Sequence, residues 1–67
     1  MAIARVTELI SASKTSFEDA TEKGIARANK TLRNVTGAWI KGQKVQIEKG
    51  KVVEYRVTLK VTFVLDD

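Results

Sequence analysis

The residues from Val52 to Leu65 constrain this chain more than any others. Val53, Tyr55, Val57, Leu59, Val61, Phe63 and Leu65 alternate with Glu54, Arg56, Thr58, Lys60 and Thr62. Successive side chains of a strand point to opposite faces, so the alternation predicts one long strand with an apolar and a polar face. At ~3.4 Å per residue it would run roughly 45 Å, where five or six residues is usual. The whole chain has 67 residues. One helix and one short partner strand cannot cover such a ribbon within a monomer. Part of it is expected to pair or pack against another copy.

Size sharpens that expectation. A chain this short buries only ~60% of its unfolded surface and is marginal alone. It contains no Cys and no His. That excludes a disulfide framework, a Cys or His zinc site, a cysteine nucleophile and a histidine general base. Self-association is the remaining common route to stability. No segment approaches the ~18 apolar residues of a membrane span. The first residues, Met1-Ala2-Ile3-Ala4-Arg5, show no basic region followed by an apolar run. A cytoplasmic location is therefore expected, with no membrane partner. The net charge of +4 is spread among charges of both signs.

The other elements follow from local signals. A strand is expected from Ile3 to Ile10, with Val6, Leu9 and Ile10 as its apolar members. The small polar stretch from Ser11 to Ser16 reads as a loop. A helix is expected from Phe17 to Val35. Ser16 is its N-cap, and Glu18 and Asp19 complement the dipole in its first turn. Apolar residues at Phe17, Ala20, Ile25, Ala28, Leu32 and Val35 recur at helical spacing, and Gly37 falls where a left-handed cap would sit. Ala20, Gly24 and Ala28 form a narrow small-residue strip, which suits close packing on a sheet or contact with another subunit. A second strand spans Ala38 to Glu48. It is joined to the last by Lys49-Gly50-Lys51, read as a three-residue turn that sets Ile47 opposite Val53 and Val45 opposite Tyr55. The outcome is an α+β fold of order β-α-β-β, one domain over residues 1–67, with an antiparallel sheet packed around one long helix.

Enzymatic signals are close to absent: there is no Gly-rich phosphate loop and no nucleophile elbow. Glu18, Asp19 and Glu22 could serve a hard cation but read first as a solvated helix face. Asp66-Asp67 reads as a solvated terminus. The candidates for ligand binding are Trp39, Arg56 and Gln43. A Trp beside a planar cation suits a flat anionic ligand. In an unbroken ladder Trp39 lies opposite Val61, in the core. A bulge at Gly42 would turn it to the face of Arg56 and Lys60. The sequence allows both. Lys41, Lys44, Lys49, Lys51, Arg56 and Lys60 make the hairpin basic, but a single candidate exposed aromatic argues against nucleic-acid binding.

Several strings together resemble the dodecin family. They are Val6-Thr7-Glu8-Leu9-Ile10, Ser13 with the helix entry, and the helix run from Ile25 to Asn34, including Ala26-Arg27-Ala28 and Thr31-Leu32-Arg33. The closing strand from Glu54 to Phe63 completes the match. The resemblance implies a β-α-β-β protomer whose three-stranded sheet partly wraps the helix. It also implies a hollow homododecamer that stores flavin (riboflavin, lumichrome or FMN) as stacked pairs between Trp side chains, without catalysis. The ligand positions depart from the family pattern. Gly37 stands where the stacking Trp usually is, with Trp39 two residues on. Arg56 replaces a Gln that bonds the flavin ring. Gln offers donor and acceptor, whereas Arg only donates. The resemblance also implies that family members without the Trp do not bind flavin and that some of them bind ions instead. A small-ligand storage shell binding flavin through Trp39 and Arg56 or Gln43 is therefore the leading expectation. A flavin-free shell with a structural or metal-ion role is the alternative.

Overall fold

The computed structural model describes residues 3–65. Asp66 and Asp67 lie outside them. The chain runs β1 (Ile3–Ser13), α1 (Phe17–Thr31), β2 (Val35–Glu48) and β3 (Lys51–Leu65). The sheet order is β1-β3-β2, antiparallel throughout. The strongly alternating strand is thus the central one. Its apolar residues Val57, Leu59 and Val61 are fully buried beneath α1. The β-α-β-β fold with a three-stranded antiparallel sheet is as expected.

The small-residue strip of the helix is taken up by its own sheet. Ala20, Gly24 and Ala28 are the buried positions of α1. A Cβ at Gly24 would stand 2.7 Å from Leu59 Cδ1 and 3.0 Å from Ser11 Cβ. The strip lets helix and sheet approach closely, so it is not a free surface for another copy. This contact also explains why β1 outruns its expected end at Ile10. Ser11 and Ser13 pair with Val57 and Tyr55 on the helix side. Small side chains are what the crowded contact admits. The polar composition that suggested a loop reflects this packing.

Ser13 then organises the helix entry. It is only 4% exposed. Its hydroxyl donates to Asp19 Oδ2 at 2.6 Å and accepts from the Thr15 N–H at 2.9 Å. Ser16 caps as expected, its Oγ accepting from the Asp19 N–H at 2.9 Å. Phe17 meets Tyr55 edge-on at 5.1 Å.

The helix ends at Thr31, not Val35. The Leu32 N–H bonds the Ala28 carbonyl at 2.9 Å, after which the chain is extended. Asn34 takes the left-handed turn (φ 61°) expected of Gly37. The αL region is one that Asn tolerates. Asn34 is then tied to Val64 in both directions: its carbonyl accepts the Val64 N–H at 3.1 Å and its Nδ2 donates to the Val64 carbonyl at 3.2 Å. Leu32 and Val35 still pack on the core. Their apolar spacing therefore continues the helical stripe although the backbone has turned into β2.

The hairpin also differs. Lys49 (φ 52°) and Gly50 (φ 77°) form a two-residue turn with both φ values positive, the twist-matched I′ geometry. Ile47 therefore faces Val52, not Val53. A bulge at Val53 then restores the expected pairing of Val45 with Tyr55. The favoured turn is kept, and the bulge corrects the register.

Candidate ligand-binding face

The sheet face away from α1 carries the candidate site. Its members follow from the β3 register. Each of the even-numbered residues Arg56, Thr58, Lys60 and Thr62 faces away from the helix. Their β1 partners are Ala12, Ile10, Glu8 and Val6. Their β2 partners are Lys44, Gly42, Trp39 and Gly37. Trp39 reaches this face because the register shifts between Ile40 and Gly42, leaving Lys41 as the extra residue. Of the two placements the sequence allowed, the bulged one is observed, and the place opposite Val61 is taken by Ala38, which is exposed.

Trp39 is 64% exposed. On its own face it is flanked by Gly37 before and Gly42 after, and a Cβ at either would meet nothing within 4 Å. The indole thus stands in a clearing. Lys60 Nζ lies 5.3 Å from the ring centroid, where a cation is attracted by the π face. Lys41, pushed out by the bulge, reaches across β3 to Glu8 at 3.2 Å. These charges border the Trp on the β1 side.

Arg56 shares the face but not the row. It lies four β3 residues from Lys60, or ~14 Å along the strand. Its Nε donates to Glu54 Oε1 at 2.5 Å. The row between is Gly42, Thr58 and Ile10, a floor with no side chain at its β2 end. Arg56 also lines an open groove of about 270 Å³ near the hairpin, with Lys14, Gln46, Glu48, Val53 and Glu54. Enclosed ligand pockets usually run ~300–1,000 Å³, so one subunit alone does not surround a ligand.

Gln43 does not join them. It pairs with Val57, on the helix side. In an unbroken ladder Trp39 and Gln43 share a face; the bulge that brings Trp39 to Arg56 separates it from Gln43. The expected trio is thus a pair. Lys44 stands directly opposite Arg56, where the Val45–Tyr55 register already places it. The Lys41–Glu8 bridge had no sequence signal, because its members are 33 residues apart and meet only through sheet order.

Asp19 is committed to structure. Hydrogen bonds from Ser13 and from Lys23 hold its carboxyl below the usual range. Lys23 Nζ stands 2.9 Å away. Among the described residues no group of three or more Asp or Glu side chains could hold a metal ion. Nor is any helix among them long and apolar enough to cross a membrane.

Comparison with known proteins meets this geometry. The dodecin family model matches residues 3–66. A dodecin from Thermus thermophilus is 37% identical over 60 residues, covering 90% of this chain and 87% of that protein. A crystal structure of an arginine-to-alanine mutant of the T. thermophilus dodecin superposes with a TM-score of 0.94 at 33% identity, covering all of both chains. The dodecin of Streptomyces coelicolor gives 0.93 at 32%, covering 98% of this chain and 94% of that one. A calcium dodecin from Mycobacterium tuberculosis, described as calcium-chelating, gives 0.83 at 28%, covering 96% and 91%. A helix seated on the middle strand of a β1-β3-β2 sheet, with matching sequence along nearly its whole length, makes this chain a member of the dodecin family.

Proposed function

We propose that this protein is a small-ligand binding and storage shell that holds flavin between subunits of a homo-oligomer, a dodecamer by family precedent. The observation that carries the reading is Trp39: an exposed indole in a clearing between two glycines, on the face shared with Arg56. Aromatic ligands stack on such rings, and stacking suits flavin. Arg56 holds the polar end of the ligand. Its guanidinium is oriented by Glu54, which takes only the Nε edge.

The assembly follows from what one subunit leaves bare. Val6 is 58% and Ile10 67% exposed on the same face as Trp39. A second copy would cover them and close the open side of the site. The role is binding, not catalysis. Two measurements test it. Native mass should show a multiple of 7.4 kDa, twelve copies for the family assembly; a monomer in dilute buffer refutes the shell. Riboflavin or FMN fluorescence should be quenched on titration with protein and restored by Trp39→Ala. Unquenched flavin at micromolar protein refutes flavin binding.

A second reading is a flavin-free shell that binds an ion. It is favoured by the Gly37 and Arg56 departures and by the calcium-chelating relative. A melting shift with Ca²⁺ and no flavin quenching would support it.

A further inference from the structure

We infer that Lys60 competes with a stacking ligand for Trp39: it covers the indole when the site is empty and swings to Glu8 when the ring is taken. The inference rests on the flavin reading above for its ligand, though not for the contact itself.

The starting point is the row that Lys60 occupies. β3 is the central strand, so Lys60 has a cross-strand neighbour on each side. Trp39 is its partner on β2 and Glu8 its partner on β1. Directly opposed Cβ atoms lie only ~4.5–5.5 Å apart, so a lysine stem reaches either one. The two destinations differ in kind: one is a π face, the other a carboxylate. In the structure the ammonium takes the π face, 5.3 Å from the ring centroid. The carboxylate is held instead by Lys41, the residue that the bulge expels from the ladder. That bridge uses Oε1 of Glu8. A carboxylate has a second oxygen, which can accept from a second cation.

Two side-chain positions of similar worth make a device that a ligand can tip. A cation over an exposed indole and an exposed cross-strand ion pair each contribute little, and to a comparable degree. A flat ring cannot stack on the indole face that Lys60 covers. The ligand therefore distinguishes the two positions, which is what a shift of population requires. The neighbours of Trp39 along β2 on this face are Gly37 and Gly42, each with open space where a Cβ would stand. The cover over the indole thus comes from Lys60.

The test uses Lys60→Thr, which suits a strand and removes the cation with its stem, and Lys60→Arg, which retains a cation for the ring. Riboflavin is the probe, read by quenching of its fluorescence. Lys60→Thr should bind it about two- to fivefold more tightly than wild type, the worth of one exposed cation–π contact. Lys60→Arg should return the affinity to the wild-type value or below. Glu8→Gln should weaken binding while Lys60 is present and change nothing in the Lys60→Thr background. Unchanged or weaker binding by Lys60→Thr overturns the inference and leaves flavin binding intact, as does a Lys60→Arg protein as tight as Lys60→Thr. A Glu8→Gln loss that persists without Lys60 overturns the swing to Glu8. The contact is also read without ligand. Trp39 is the only Trp of the chain, so its emission reports this ring alone. Quenching of that emission by acrylamide, a neutral collisional quencher, should rise in Lys60→Thr and fall back in Lys60→Arg. If no form of the protein binds riboflavin, the flavin reading falls and acrylamide decides the cover alone: a rise keeps it, and no rise overturns it.

Discussion

Replacing Gly24 by alanine tests whether the helix sits as close to the sheet as described. In an open helix position the change stabilises by about 1 kcal/mol, because glycine loses more backbone freedom on folding. Here the new methyl would lie 2.7 Å from Leu59 Cδ1, 3.0 Å from Ser11 Cβ and 3.3 Å from Leu9 Cδ1. Leu59 is a flexible side chain, but it is fully buried and flanked by Val57 and Val61 in the core. Ser11 Cβ is held by the β1–β3 ladder and has no freedom to retreat. Overpacking of a filled core costs ~1–3 kcal/mol. Set against the helix gain, the expected net loss is ~1 kcal/mol. For a domain of this size that lowers the melting temperature by about 4–8 °C. Thermal unfolding followed by far-UV circular dichroism reads it, at one fixed protomer concentration because assembly adds to apparent stability. Gly42→Ala is the control. It meets nothing within 4 Å and should stay within ~0.5 kcal/mol of wild type. A Gly24→Ala protein as stable as wild type, or more so, would show that the contact has room and that the account of the strip is wrong.

Three further outcomes are expected. Ser16→Ala removes the cap on the Asp19 N–H and should cost ~1 kcal/mol in urea unfolding, with Ser16→Asp retaining most of it. Because the Asp19 carboxyl titrates below the ordinary 3.8, the unfolded chain takes up that proton first as pH falls. Its contribution is therefore complete above that value and is lost on acidification through the lower folded value; Asp19→Asn should flatten the stability profile in that acid window and leave its shape near neutrality unchanged. Gly37→Trp places an indole in open space on the Trp39 face. It should fold normally and strengthen flavin quenching, and a weaker quench would count against stacking on this face.

Much of this protein was legible in one dimension. The period of two in β3, the helical stripe from Phe17 and the Ser16 cap are local signals, each readable within a few residues. They were enough to order the elements and to place the core on Val57, Leu59 and Val61. The family strings are likewise contiguous. Within the site, Arg56 and Lys60 were placed on the polar face by alternation alone, and the structure keeps them there.

What tertiary structure decided is the phase of β2. That strand pairs with β3 through three register shifts, at Thr36, Lys41 and Val53. Each inserts one residue and so exchanges the faces of everything beyond it. Trp39 moved to the face of Arg56 and Gln43 parted from it by that means. The early end of α1 at Thr31 was decided by the pairing of Asn34 with Val64, thirty residues away. The sequence by itself determined which face of the last strand is buried, because burial of an alternating row leaves a single choice; that this strand is flanked on both sides by β1 and β2, where part of it was expected to meet another copy, is a matter of sheet order. The sequence could not determine which side Trp39 takes. A two-faced strand has two phases, and the choice between them rests on where the ladder bulges, a property of paired strands and not of either one.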